Sequence, residues 1–256
     1  MSKLNPKTGL YLIISHLLCT NVMASDKFTF STGATYITGN YGGSDSTDIY
    51  YVPFTFKYKY EKFRFKLTIP YLEKTGPRNV VVGIGQVGPK ASVIQTTETG
   101  IGDISAALRY NIYYNQEFKL SLDAEGKVYF GTADVNKGLG TGKTDYSFRL
   151  GIYKVIDDFT PYVKGGFKVY GRSKLNDVFF VSTGLSYKLN STISAGFDYA
   201  WREKVSDTGA EKNQLTGFSS QKLTKNWGLQ EYIIKGFGRS TAAWGGGISI
   251  SYGFDF

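Results

Sequence analysis

Large apolar residues recur on alternate positions through long stretches of the chain, the period of strands with one apolar and one polar face. In the segment 63–71, Phe63, Phe65, Leu67, Ile69 and Tyr71 share one face, while Arg64, Lys66 and Thr68 share the other. The segment 118–130 repeats the pattern, setting Phe118, Leu120, Leu122, Val128 and Phe130 against Lys119, Ser121, Asp123, Glu125 and Lys127. A helix would scatter those five polar groups around its axis. The same rule predicts strands at 27–37, 48–60, 63–72, 101–113, 118–130, 144–155, 160–170, 178–189, 192–202, 214–223, 227–237 and 243–256. Alternation is weakest at 214–223 and 227–237.

The connections alternate between short and long. Tight turns are expected at Glu61-Lys62, Asp157-Asp158 and Asn190-Ser191, with short links near Asn115 and Lys225. Between them lie polar stretches at 38–47, 73–100, 131–143 and 203–213. Short turns on one side and long loops on the other describe an all-β, transmembrane, antiparallel up-and-down barrel of the bacterial outer membrane, of about twelve strands. An even strand number brings both termini to the periplasm. A soluble sandwich or lipocalin-like barrel also alternates, but it turns its apolar face inward. Here Tyr50, Tyr60, Phe63, Tyr71, Tyr110, Phe118, Phe130, Tyr187 and Trp201 gather near strand ends, where interfacial girdles belong.

The two chain ends agree with that assignment. The last strand alternates Trp244, Ile248, Ile250, Tyr252, Phe254 and Phe256. The series Tyr252, Phe254, Phe256 reads as the terminal strand signal for the barrel-assembly machinery. At the other end, Lys3 and Lys7 precede an apolar run at 10–18 and then Val22-Met23-Ala24, the three-part pattern of a cleavable secretory signal. The run is too short to span a bilayer as a helix. Cys19 invites a lipoprotein reading, but Leu18 stands where such signals want a small residue. Cleavage is expected after Ala24, leaving 25–256 as one barrel domain in the outer membrane.

Cleavage at that point changes the chemistry. It removes His16, Cys19 and both methionines, and no Cys, His or Met follows Ser25. Neither a Ser-His-Asp nor a Cys-His relay is then possible, nor a thiolate or imidazole metal site, and no cofactor is expected. The formal charge of +9 falls, with Lys3 and Lys7, to +7. The basic residues are spread singly along the chain, unlike the concentrated face of a nucleic-acid reader. The expected partners are outer-membrane lipid, the assembly machinery and a small solute.

Three motifs invite other readings. Gly83-Ile-Gly-Gln-Val-Gly88 has dinucleotide-site spacing, but Pro89 follows and no helical period comes after it. Gly138-Leu-Gly-Thr-Gly-Lys-Thr144 resembles a phosphate loop, but Lys137 stands where its first glycine should be. Asn190-Ser-Thr192 fits a glycosylation sequon and reads as a turn. More telling are the polar faces, which carry Arg64, Lys66, Asp103, Arg109, Lys119, Asp123, Glu125, Lys127, Asp145, Arg149, Asp198 and Arg202. Inside a barrel these charges form either salt-bridge ladders or a water-filled path, with selectivity set by them.

Several segments resemble the outer-membrane transporter family named for the meta-cleavage pathway of phenol degradation. They are Tyr51-Val-Pro-Phe-Thr-Phe-Lys-Tyr58, Phe65-Lys-Leu-Thr-Ile-Pro-Tyr71, Thr99-Gly-Ile-Gly-Asp-Ile-Ser105, Gly138-Leu-Gly-Thr-Gly-Lys-Thr-Asp-Tyr146 and Asn176-Asp-Val178. The resemblance implies a barrel admitting aromatic or other hydrophobic small solutes, with no catalytic residues to transfer. Asp103 and Asp145, inside the two best-matching motifs, are expected to matter most; the alternative is that each pairs an arginine such as Arg109 or Arg149 and fixes register. The expected function is a passive solute channel, with the segment 73–100 the loop most suited to fold inward. A plugged receptor or structural barrel is the alternative. An outer-membrane hydrolase is less favoured, because the familiar devices use a histidine the mature chain lacks.

Overall fold

The computed structural model describes residues 27–41, 45–87, 95–207, 209–239 and 241–255. The proposed signal segment and the terminal Phe256 lie outside them. The strands are β1 (Lys27–Gly39), β2 (Thr47–Tyr60), β3 (Phe63–Pro77), β4 (Val80–Val81), β5 (Gly85–Gln86), β6 (Gln95–Ile101), β7 (Ser105–Asn115) and β8 (Leu120–Tyr129). They continue as β9 (Asp145–Lys154), β10 (Phe159–Val169), β11 (Val178–Lys188), β12 (Ile193–Arg202), β13 (Lys212–Lys222), β14 (Trp227–Gly236) and β15 (Trp244–Asp255). Each long strand pairs antiparallel with its chain neighbours, and β1 pairs with both β2 and β15. The sheet therefore closes on itself, which leaves no edge. Both β6 and β7 lie on β3 and form one interrupted strand, so the wall holds twelve strands among the described residues.

Sequence determines which face points out. Phe63, Phe65 and Tyr71 of β3 and Tyr146, Phe148, Leu150 and Ile152 of β9 are exposed, with Phe65 at 43%, Phe148 at 52% and Ile152 at 51%, while the polar positions between them are buried or half-buried. Exposed apolar surface spread around the barrel is what a lipid-facing wall requires. Aromatic pairs band both rims: Phe63 with Tyr110, Phe159 with Tyr187 and Trp227 with Tyr252 at the turn end, Tyr36 with Tyr50 and Trp244 at the other. The turns are as tight as expected. Glu61 and Asp157 take left-handed φ values of 46° and 51°. Asn190 Oδ1 accepts from the Thr192 and Ile193 N–H groups, so the sequon is an Asx turn.

Two expectations need correction. Residues 73–100 are not one loop, because β3 runs on to Pro77 and pairs with β6. The hydroxyls of Thr75 and Thr97 meet at 2.9 Å in this extension, whose composition reads as loop because it lacks an apolar face. Lys119 is not on the polar face of a strand; it sits in the turn before β8 with φ 48°.

The interruption between β6 and β7 also has a local cause. Pro70 stands opposite Pro53, and a proline has no N–H to give to a ladder. The facing strand breaks at 102–104. Its backbone is satisfied instead by the Thr132 hydroxyl, which accepts from Ile104 N and donates to the Gly102 carbonyl, both at 2.9 Å.

Candidate functional site

Two registered rows of side chains dominate the interior of β2, β3 and β7 to β10. One runs Lys57, Lys66, Ala107, Lys127, Ser147, Lys168 across successive strands. The next runs Lys59, Arg64, Arg109, Glu125, Arg149, Gly166. The acids on this inner surface are engaged. Glu125 bridges Arg109 at 2.7 Å and Arg149 at 2.8 Å. Asp123 accepts from Asn111 at 2.6 Å and lies 3.9 Å from Arg109. Asp198 takes Lys164 at 3.0 Å and the Tyr162 hydroxyl at 2.9 Å.

The opposite arc, β13 to β15 and β1, is lined by neutral groups between the strand ends. Inward positions on β15 are Gly245, Gly247, Ser249, Ser251 and Gly253. Inward rings lie flat over glycines on neighbouring strands rather than projecting across the lumen. A Cβ at Gly247 would come within 2.6 Å of the Tyr232 ring, and one at Gly184 would press on the Tyr162 hydroxyl. Tyr232 thereby reaches the Thr35 hydroxyl, two strands away.

Asp103 and Asp145 serve the loop between β8 and β9. Asp103 does not pair an arginine: it accepts from the Ala133 and Thr141 N–H groups at 3.1 and 3.0 Å. Asp145, 1% exposed, accepts from Gly171 N at 3.0 Å and pairs with Lys168 at 3.2 Å. The Thr141 hydroxyl lies 3.4 Å from both carboxylates. Gly138 and Gly142 hold left-handed φ values of 70° and 67°, and a Cβ at Gly140 would press on Asp103 at 2.5 Å. The phosphate-loop-like motif is thus a loop folded tightly around two carboxylates.

That loop supports a cap. The small hairpin of β4 and β5 turns on Gly83, whose φ is 79°. Val82 N donates to the Gly138 carbonyl at 3.0 Å, and Lys74 Nζ donates to the Val80 carbonyl at 2.9 Å. Val80 joins a buried cluster with Tyr41, Leu72, Leu139 and Ala242, and burial pushes the Tyr41 phenol well above its ordinary pKa. Val81 and Ile84 join a second cluster with Tyr170, Val178 and Val205. The hairpin springs from β3, and its tip is held by β12, six strands away in the ring of twelve. There Arg202 donates to the Gly83 and Ile84 carbonyls at 2.9 and 3.3 Å. A segment anchored at such opposed points lies across the mouth at the loop end.

Of the residues expected at the site, Arg64, Lys66, Arg109, Asp123, Glu125, Lys127, Asp145, Arg149 and Asp198 occupy the inward register, whereas Asp103 braces a loop and Arg202 latches the cap. Sequence reasoning missed Lys57, Lys59, Lys164 and Lys168, although period two applied to 48–60 and 160–170 places them on the same face. It also missed the latch, which joins residues 118 or more positions apart.

A closed twelve-strand wall with an apolar exterior, aromatic rims and a charged interior defines an outer-membrane β-barrel. The chain belongs to the family described as "Putative MetA-pathway of phenol degradation", which matches residues 68–256. Among solved structures it is similar to the COG4313 outer membrane channel from Pseudomonas putida F1, with a TM-score of 0.65, 13% identity, and 91% of this chain and 97% of that one covered. It is also similar to the KdgM porin, with a TM-score of 0.51, 10% identity, and 88% and 99% covered. The translocator domain of the autotransporter NalP from Neisseria meningitidis shares the fold too, with a TM-score of 0.51, 9% identity, and 89% and 88% covered. No curated protein matches the chain.

Proposed function

We propose that this protein is a passive channel for small solutes, inserted with its turns and both termini in the periplasm and its loops outside. Residues 1–24 are its cleaved secretory signal, and Tyr252, Phe254 and Phe256 its mark for the barrel-assembly machinery. The observation that carries the reading is the interior itself: charged side chains at mid-wall need water or partners, and among the described residues Lys57, Lys66 and Lys127 have no carboxylate within salt-bridge distance. Arg64, Lys66, Arg109, Asp123, Glu125, Lys127, Arg149 and Asp198 line the path, and the cap governs entry to it. No catalytic step is assigned to any of them.

The cap supports a second reading, a plugged barrel that displays its loops. Planar-bilayer conductance of the refolded 25–256 chain, measured beside Arg202→Ala, separates the two. Discrete current steps that become larger or more frequent in Arg202→Ala support a capped channel. Silence from both proteins, when each shows the heat-modifiable mobility of a folded barrel, supports the plug.

A further inference from the structure

The lumen is unevenly charged, and we infer that the solutes it selects are small organic anions, an inference that rests on the channel reading above. Cross-strand neighbours of like charge oppose folding. Even so, Lys57 stands directly opposite Lys66, Lys59 opposite Arg64, and Arg64 opposite Arg109. An arrangement that weakens the fold at successive positions needs a reason other than stability.

The acids do not neutralise it. Glu125 is shared by two arginines, Asp145 holds Lys168, and Asp198 holds Lys164. Lys57, Lys66 and Lys127 are left with no carboxylate within salt-bridge distance among the described residues. Lys127 instead lies 4.1 Å from the centre of the Tyr129 ring. All three belong to one registered row, so their ammonium groups project into the lumen from β2, β3 and β8 at adjoining points of the wall.

A low-dielectric wall lined by one sign of charge focuses its field into the enclosed water and concentrates ions of the other sign. Rings of Lys and Arg are the usual lining of anion pores. The facing arc carries hydroxyls, bare backbone and the side chains of Phe218, Tyr232 and Ile234, which accommodate the rest of a solute without competing for its charge. A carboxylate passing the lysine row would relieve the repulsion built into it. Aromatic solutes are then admitted best as their carboxylates, not as hydrocarbons.

The test is the reversal potential of the refolded 25–256 chain in a KCl gradient, repeated with potassium benzoate. It uses the wild type, Arg202→Ala to free the mouth, and Lys57→Gln/Lys66→Gln/Lys127→Gln in the Arg202→Ala background. The expected result is a potential on the anion side in both salts, with the anion-to-cation permeability ratio falling about threefold or more in the lysine variant. If the lysine variant does not refold, screening replaces it: anion preference must shrink as ionic strength rises and the Debye length shortens. Current that prefers potassium, or a preference unmoved by both changes, overturns the anion inference and leaves the channel reading standing. Absence of current from every folded variant overturns the channel reading and the inference with it.

Discussion

The two halves of the barrel wall follow opposite rules. In β3 and β7 to β10 the outward positions are large and apolar and the inward ones charged, so side-chain chemistry reports which face is which. In β13 and β14 the pattern partly inverts. Phe218, Tyr232 and Ile234 point inward, while Ser219, Gln221 and Glu231 point outward. The difference shows two ways of keeping a narrow lumen organised. One half uses ion pairs and repulsion among long side chains. The other lays rings over glycines, whose missing Cβ atoms provide the space. Substitutions that treat the halves alike should therefore give unlike results.

The largest effect is expected in the charged half, at Glu125. Its side chain is 15% exposed and carries two bridges, to arginines 7% and 20% exposed. Removing one member of such a group leaves the others uncompensated, a loss of about 3 to 5 kcal/mol when buried. Glu125→Ala should lower the urea midpoint of the refolded barrel by the largest margin of any single change considered, and a midpoint within error of wild type would disprove the bridging role. Next comes the latch. Hydrogen bonds from a charged donor contribute about 1.5 to 3 kcal/mol each, and Arg202 makes two to cap carbonyls. Arg202→Ala should raise the open population of the cap about tenfold or more, read as conductance or as protease cleavage within 78–87, while the unfolding midpoint moves little.

The neutral half should respond to volume rather than charge. Gly247→Ala would push a methyl group into the Tyr232 ring at 2.6 Å. Overpacking of this kind costs about 1 to 3 kcal/mol. Gly126→Ala, where a Cβ meets nothing within 4 Å, is the control. Equal midpoints for the two would show that the ring yields freely and that the glycine is not there for space.

The charged half was also the legible half. Period two located β3, β8 and β9 and their inward residues because lipid and lumen demand opposite chemistry at successive positions. β13 and β14 were hard to read for the converse reason: a ring resting on glycine is compatible with a lumen, and a serine facing lipid gives no contrast to it. The upper part of β3 and β6 looked like loop because it stands beyond the apolar belt, where neither face has to be greasy. The inward fold was expected of the segment 73–100, which holds the cap, but the latch was out of reach for another reason. Nothing in the local pattern around Gly83 says that Arg202 will reach it from across the ring, and the glycine-rich motif at 138–144 read as a loop without showing the two carboxylates it folds around.

The smallest predicted effect has the opposite sign, and it tests the comparison most directly. Glu231 is an exposed carboxylate on the outer wall, midway along β14 between Trp227, paired with Tyr252, and Lys235, paired with Trp244. Those aromatic residues mark the two rims, so Glu231 sits near the middle of the apolar belt. Its contacts there are the Ser219 hydroxyl at 3.1 Å and the Gln221 amide at 3.5 Å. A charge on the lipid face opposes folding most strongly at mid-depth, with acids costing less than the roughly 2 to 4 kcal/mol of Lys or Arg. Replacing the acid and its amide neighbour together, as Gln221→Leu/Glu231→Leu, leaves only the small Ser219 hydroxyl without its acceptor and should stabilise the barrel by about 1 kcal/mol. The same acid-to-leucine exchange at Glu125 should destabilise it. If unfolding in lipid vesicles shows the outer double variant weakened as well, then that patch is covered rather than lipid-facing, and the contrast between the two halves rests on the lumen side alone.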